Sequence, residues 1–329
     1  MRRREFITLL GSAAAVWPLS VRAQRGEPKR RIGILMPYPP TEVDVVQRVL
    51  AFREELQRRG WTPGTNAQFD EQWTGDDMGL IRSAAANLVE LNPEVILATG
   101  GRVIPILMEM THTIPVIVAG GSEPVARGYV ESLARPGGNV TGFANAELSV
   151  IGKMLQTLKE IAPQVSRVVL MFNPDNPGTS LVAHEFESAA GSLGVESTVA
   201  RVHGLADIEQ AVAEAAARPN GGIFVASDLT LSKFAEQTAA AVARHRLPAI
   251  YPERRFVAKG GLAYYGSDRI ELYRNAAVYA DRILRGEKPG DLPYQQPTKY
   301  DLVINLKTAK VLGLTLPPAL LARADEVIE

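Results

Sequence analysis

Residues 114–145 limit the possible folds of this chain more than any other stretch. They begin with Ile114-Pro115-Val116-Ile117-Val118-Ala119, an apolar run of the length and composition of a buried parallel strand. Gly120-Gly121-Ser122-Glu123-Pro124 then turns the chain, and residues 123–133 are expected to form a short helix. Arg135-Pro136-Gly137-Gly138 is a strong break, after which residues 139–145 are extended again. Strand and helix patterns alternate before this stretch, and a second alternating series follows it. The stretch therefore reads as the end of one α/β lobe and the first crossing into another.

The first series opens with Arg31-Ile32-Gly33-Ile34-Leu35-Met36 as a strand, ended by Pro37-Tyr38-Pro39-Pro40. Apolar residues from Val43 to Leu56 then recur at helical spacing, and Gly60 closes that helix. A strand is expected over 66–73, and Asp76-Asp77 sit where helix N-caps belong. Glu94-Val95-Ile96-Leu97-Ala98 is a third strand, and Thr99-Gly100-Gly101 leads into the next helix. In the second series, Arg167-Val168-Val169-Leu170-Met171-Phe172 turns at Asn173-Pro174-Asp175, and Gly222-Ile223-Phe224-Val225-Ala226 ends at Ser227-Asp228. Ala249-Ile250-Tyr251 and Gly261-Leu262-Ala263-Tyr264-Tyr265-Gly266 are extended, and residues 269–285 form a long amphipathic helix.

Such alternation implies α/β lobes with parallel, doubly wound sheets covered on both faces. Ligands of these sheets bind beyond the carboxyl ends of the strands, where strand order reverses. The rule nominates the turns at Tyr38, at Thr99-Gly100-Gly101, at Ser122-Glu123, at Asn173 to Asp175 and at Ser227-Asp228. A cleft between the lobes would collect all of them. Small residues there let a carboxylate approach the free N–H groups of a following helix, and the same residues also serve as ordinary caps. Tyr38, Tyr251 and Tyr265 stand near strand ends, placed to stack on a flat or apolar ligand. Glu123 and Asp228 are the carboxylates best placed to hold an ammonium. Arg102, if it points inward, would favour an additional carboxylate or an acid with no ammonium at all. Glu253-Arg254-Arg255 reads as the start of a surface helix.

Catalytic and cofactor signatures are scarce. There is no Cys, which excludes disulfides, thiolate metal sites and a Cys nucleophile. His112, His184, His203 and His245 are isolated and lack metal-ligand spacing. The first strand has no GxGxxG after it, and neither a Walker loop nor a GxSxG elbow occurs. No cofactor is expected. Lys plus Arg and Asp plus Glu are equal at 36 each, so there is no basic field to attract nucleic acid.

The N-terminus reads as an export signal over residues 1–23. Arg2-Arg3-Arg4 precedes an apolar segment too short to span a bilayer, and Val21-Arg22-Ala23 supplies small residues before a cleavage point. Arg3-Arg4-Glu5-Phe6-Ile7 also fits a twin-arginine signal, with a general secretory signal as the alternative. Removing residues 1–23 leaves 32 basic and 35 acidic side chains. The expected destination is the periplasm.

Several motifs resemble one family. They are Ser132-Leu133-Ala134-Arg135-Pro136-Gly137-Gly138-Asn139-Val140-Thr141-Gly142, Arg244-His245-Arg246-Leu247-Pro248-Ala249-Ile250-Tyr251, Pro297-Thr298-Lys299-Tyr300-Asp301-Leu302-Val303-Ile304-Asn305, and the ending Leu320-Leu321-Ala322-Arg323-Ala324-Asp325. The chain resembles the substrate-binding proteins of ABC transporters of the tryptophan/tyrosine type, over essentially all of its length after the signal. The resemblance implies a type I periplasmic-binding-protein fold, three crossings between the lobes, no catalysis, and delivery of a small molecule to an inner-membrane permease. It suggests an aromatic amino acid or a related carboxylate as ligand. A monomer is expected. The chain departs from the family where members often carry Gly-Asp-Pro-Val, here Ser122-Glu123-Pro124-Val125, and where they carry Thr-Pro after the third strand, here Gly101-Arg102. A periplasmic sensory module and an exported enzyme on the same fold are the alternative readings.

The expected division is 29–144 with 261–288 in lobe one, and 145–260 with 289–329 in lobe two. Crossings are expected near Asn145, Gly260 and Pro293. The ligand is expected between Tyr38, Thr99, Gly100, Gly101, Ser122 and Glu123 on one side and Asn173, Asp175, Ser227, Asp228 and Tyr251 on the other, with Tyr265 near the hinge.

Overall fold

The computed structural model describes residues 29–121, 123–146, 148–176 and 179–329. The first part of the chain runs β1 (Arg30–Met36), α1 (Val43–Arg58), β2 (Ala67–Trp73), α2 (Met78–Glu90), β3 (Val95–Ala98), α3 (Val103–Met110), β4 (Val116–Ala119) and β5 (Val140–Phe143). These strands form one sheet in the order β2-β1-β3-β4-β5, with every pairing parallel. The second part begins with α4 (Val150–Ile161), β6 (Arg167–Phe172), α5 (Thr179–Ser192), β7 (Glu196–Arg201), α6 (Leu205–Ala216) and β8 (Gly221–Val225). It continues with α7 (Leu229–Lys233), α8 (Ala235–Arg244), β9 (Ala249–Tyr251), α9 (Arg254–Ala258) and β10 (Ala263–Gly266). The remainder is α10 (Arg269–Leu284), a short 3-10 turn (Pro289–Asp291), β11 (Asp301–Asn305), α11 (Leu306–Val311), α12 (Pro318–Arg323) and β12 (Glu326–Ile328). The second sheet has the order β12-β11-β10-β9-β8-β6-β7 and is parallel except where β10 meets β11.

Pleating sends alternate residues of β1 to opposite faces of the first sheet. Ile32, Ile34 and Met36 pack in the core that α1 and α10 complete, whereas Leu35 packs with α2 and α3. The strands are therefore apolar on both faces, as a buried parallel sheet requires. Gly142 is the one residue type β5 tolerates beside β4: a Cβ there would lie 2.2 Å from the Val118 carbonyl oxygen. In the second lobe α4 buries Val150, Ile151, Met154, Leu155 and Leu158 against β6, β8 and β9. Burial of this apolar surface drives both lobes to fold.

Helix α10 belongs with the first sheet although it follows β10 of the second. Its buried Leu272, Tyr273, Ala276, Ala277 and Ala280 share a core with Val45, Val49 and Phe52 of α1. The Trp61 Nε1–H donates to Asp281 Oδ1 at 2.8 Å, and Asp268 caps the helix by accepting from the N–H groups of Ile270 and Glu271.

Three expectations need correction. The helix over 123–133 is not formed: Glu123 and Gly128 have φ of 53° and 71°, which a right-handed helix excludes, and the segment folds as turns. Residues 261–266 do not belong to lobe one, because β10 pairs with β9 and β11. Residues 289–295 do not belong to lobe two. Leu292 and Tyr294 are buried in the first lobe's cores, and Gln295 bridges to Phe143 of β5.

The three crossings thus lie between β5 and α4, between β10 and α10, and between Gln295 and β11. They run side by side: the Ala144 N–H donates to the Gln295 carbonyl at 2.8 Å, and the Ser267 hydroxyl donates to the Asn145 carbonyl at 2.6 Å. Among the described residues no helix is long and apolar enough to cross a membrane. Residues 1–23, read as the export signal, lie outside the described residues.

Candidate functional site

Strand order reverses at β1/β3 in the first sheet and at β6/β8 in the second. The turns after those four strands face each other across the cleft and enclose a cavity of about 120 Å³. That is close to the roughly 150 Å³ cavities known to admit benzene-sized molecules.

Lobe one contributes Tyr38 after β1, Thr99, Gly100 and Gly101 after β3, and Gly120 and Gly121 after β4. Thr99 is buried, and its hydroxyl donates to the Ala119 carbonyl at 2.7 Å, which ties the β3 and β4 turns together. Two further residues come from the turn after β4, Arg127 and Tyr129. The Tyr129 hydroxyl donates to the Gly101 carbonyl at 3.1 Å. Burial pushes its pKa up, and the neighbouring Arg127 guanidinium works against that rise. Arg127 itself is half-buried, and its Nε and Nη1 are shielded from solvent with no hydrogen-bond partner.

Lobe two contributes a wall whose polar groups are already engaged. Asp228 caps α7: its Oδ1 accepts from the Thr230 N–H at 2.7 Å, and its Oδ2 accepts from Asn176 Nδ2 at 3.0 Å. The Ser227 hydroxyl accepts from Arg269 Nη2 at 3.2 Å and from Asn145 Nδ2 at 3.5 Å. The rest of this wall is apolar: Leu148, Ile151, Met154 and Phe224 form its floor. Asn176 Oδ1 is the exception, being buried without a partner.

Gly101 shows how closely the walls approach. A Cβ at this position would lie 2.6 Å from Asn176 Oδ1 and 3.0 Å from Arg127 Nη1. Its missing side chain is what leaves room for the cavity at that point.

Behind the cavity, Glu253 ties the two lobes together. It is buried at 3% exposure, and the Ser232 hydroxyl donates to it. Arg255, Arg269 and Arg48 lie 3.1, 3.7 and 3.8 Å from its carboxylate. Burial alone would raise its pKa, but Arg269, Arg255 and Arg48 together outweigh burial and hold it at about 2. Arg48 and Arg269 stand on helices of the first lobe, whereas Glu253 and Arg255 belong to the second. Arg255 also reaches Glu42 and Asp44 at 3.1 and 2.8 Å across the cleft. The lobes are therefore in ion-pair contact along this side of the cleft. Glu253 starts α9, as expected, but as a buried group rather than a surface one.

Of the residues nominated from sequence, Tyr38, Thr99, Gly100, Gly101, Ser227 and Asp228 line the cavity. Ser122 lies outside the described residues. The remaining nominated residues do not line the cavity. Glu123 turns away to accept from the Leu148 N–H at 3.3 Å. Asn173 is buried and braces its own turn, donating to Thr230 Oγ1 and accepting from the Asp175 N–H. Asp175 is exposed and pairs with His203 at 3.2 Å. Tyr251 is fully buried and stacks on Phe256 with ring centroids 4.9 Å apart. Tyr265 stacks on Tyr300 at 5.8 Å, away from the cavity. Arg102 does not line the cavity either. Arg127, Asn176 and Arg269 were not nominated, because a single Arg or Asn near a turn carries no sign of which way it points. Among the described residues no cluster of His, Asp or Glu is arranged to hold a metal ion.

The comparisons agree with this architecture. The profile of the family described as ABC transporter substrate binding protein matches residues 44–328. A tyrosine-binding protein of Clostridioides difficile (strain R20291) is 25% identical over 292 residues, covering 87% of this chain and 81% of that protein. The crystal structure of a conserved domain protein from Vibrio cholerae superposes with a TM-score of 0.84 at 26% identity, covering 91% of this chain and 99% of that one. The ABC domain from Streptococcus pneumonia in complex with L-Trp gives 0.84 at 22% identity, covering 91% of this chain and all of that one. Two parallel-sheet lobes, a cavity at both switch points and a family match across nearly the whole described chain lead to one conclusion: this chain belongs to the ABC transporter substrate binding protein family and has the type I periplasmic-binding-protein fold.

Proposed function

We propose that this protein captures an aromatic amino acid or a related carboxylate between its lobes and delivers it to the permease of an ABC transporter in the inner membrane. The observation that carries this reading is the interlobe cavity, with an apolar floor from lobe two and the unpartnered Nε and Nη1 of Arg127 on lobe one. A flat apolar body fits the floor, and a charged head group fits the Arg127 side. The names of the relatives, one tyrosine-binding and one crystallised with L-Trp, support the same ligand class. We assign a binding role without a chemical step. The cavity's two described carboxylates, Asp228 and Glu253, are held by a cap and by three arginines, so neither is poised as a general base.

The protein is proposed to act in the periplasm after export through the signal over residues 1–23, as a monomer whose two lobes move as rigid bodies about the three crossings. A thermal-shift screen of amino acids and aromatic acids tests the capture reading. A ligand at a hundredfold excess over its Kd adds about 2.7 kcal/mol to the stability of the native state. A screen in which no compound of either class raises the melting temperature contradicts it. Export is checked by fractionating cells that express the full chain. Retention of an Arg3→Lys, Arg4→Lys variant in the cytoplasm is the outcome expected for the twin-arginine route.

A further inference from the structure

We infer, building on the capture reading above, that Arg127 is the specificity-determining residue of the cleft: it receives the ligand's carboxylate, and that contact outweighs any made to a ligand ammonium. A cation withdrawn from water is costly unless an anion or acceptor replaces the lost hydration. The other charged groups around the cavity meet this requirement within the protein. Asp228 accepts from Thr230 and Asn176. Glu253 lies among Arg48, Arg255 and Arg269, and Arg269 also donates to Ser227. Arg127 differs. Its Nε and Nη1 are shielded from water and donate to nothing, although the side chain lines the cavity. Tyr129 beside it spends its own hydroxyl hydrogen on the Gly101 carbonyl.

Position supports the assignment. Arg127 Nη1 and Asn176 Oδ1 lie 3.0 and 2.6 Å from the point a Gly101 Cβ would occupy, one from each lobe. Both are without hydrogen-bond partners. A ligand head group lying over Gly101 would therefore meet a cationic donor from lobe one and a neutral acceptor from lobe two. The donor is a permanent charge that matches a carboxylate. The acceptor is a single amide oxygen, and the nearest carboxylate, Asp228, already has a donor on each oxygen. The head group the site is built to recognise is thus the carboxylate, with an amino group as a secondary feature. Gly101, by leaving space beneath the guanidinium, is part of the same device.

The test uses three probes of one shape and different charge: L-tyrosine, 3-(4-hydroxyphenyl)propanoate, which lacks the ammonium, and tyramine, which lacks the carboxylate. Titration calorimetry is run on the wild-type protein, Arg127→Met and Arg127→Lys, with ligand-free melting temperatures as a folding control. The wild type is expected to bind the propanoate and L-tyrosine, and to bind tyramine more weakly than either. Arg127→Met should weaken the carboxylates by roughly ten- to a hundredfold, the loss expected for a hydrogen bond to a charged group, with Arg127→Lys between the two. Tyramine should be indifferent to both substitutions. Carboxylate binding that survives Arg127→Met unchanged overturns the Arg127 assignment and leaves the capture reading standing. Wild-type protein that prefers tyramine, or that binds neither carboxylate, overturns the assignment and the proposed ligand class together.

Discussion

The two walls of the cleft are built on the same switch-point geometry, yet they offer a ligand different things. The wall from lobe one presents glycine-rich turns and the unused nitrogens of Arg127. The wall from lobe two presents an apolar floor and a polar rim in which Asp228 and Ser227 are hydrogen-bonded within the protein and Asn176 Oδ1 lacks a partner. We propose that the first wall discriminates between head groups and that the second supplies shape. Glu253, which also lines the cavity, joins the two walls through its ion pairs to Arg48 and Arg269.

The largest effect is expected at that join. Glu253→Gln should destabilise the protein by about 3–5 kcal/mol, because Arg48, Arg255 and Arg269 would keep their charges without the buried anion between them. Denaturant unfolding measures this. The sign with pH follows from the depressed pKa: the Glu253 contribution is complete above the ordinary carboxylate pKa of about 4.3 and fades as pH falls toward its folded value of about 2. The stability gap between wild type and Glu253→Gln should therefore narrow in that window and stay flat from pH 5 to 8.

A smaller effect tests the spacing of the walls. Gly101→Ala places a methyl group against Asn176 Oδ1 and Arg127 Nη1. It should lower ligand affinity about tenfold, or ~1.4 kcal/mol, while leaving the ligand-free melting temperature near that of the wild type. The contrast between the walls is sharpened by Asp228→Ala. Loss of the cap should cost about 1 kcal/mol of stability by chemical denaturation, and it should cost less ligand affinity than Arg127→Met does. If Asp228→Ala instead abolishes binding and leaves stability intact, the roles of the two walls are reversed. The smallest effect is expected at Tyr251→Phe. The Tyr251 hydroxyl is buried and has no partner, so its removal should change stability by less than about 1 kcal/mol and leave binding unchanged.

The sequence made the two lobes legible because strands such as Val95–Ala98 and Val116–Ala119 are apolar on both faces and are separated by helices of the right period. It misplaced the lobe boundaries where local pattern carries no partner information. Residues 263–266 look the same whether they pair with β9 or begin a return to lobe one, and only the ladder to β9 and β11 decides. Leu292 and Tyr294 sit in a stretch of prolines that reads as a linker, yet both are anchored in the first lobe. Within the site, turns after switch-point strands identified Thr99, Gly100, Gly101, Ser227 and Asp228, because topology alone brings those turns together. Tyr251 was misjudged because a strand-end tyrosine can point into a core as readily as into a cleft. Arg127 was hidden by the expectation of a helix over 123–133, where left-handed backbone at Glu123 and Gly128 builds turns instead.

On the proposed reading, a wall that reads charge closes over the ligand against a wall that reads shape. Small-angle scattering with and without a saturating carboxylate ligand tests it most directly. The expected result is a smaller radius of gyration for the wild-type protein with ligand, and for Arg127→Met the same contraction only at ligand concentrations about ten- to a hundredfold higher. Identical wild-type dimensions in the two states, at a ligand concentration that calorimetry shows to be saturating, would contradict it.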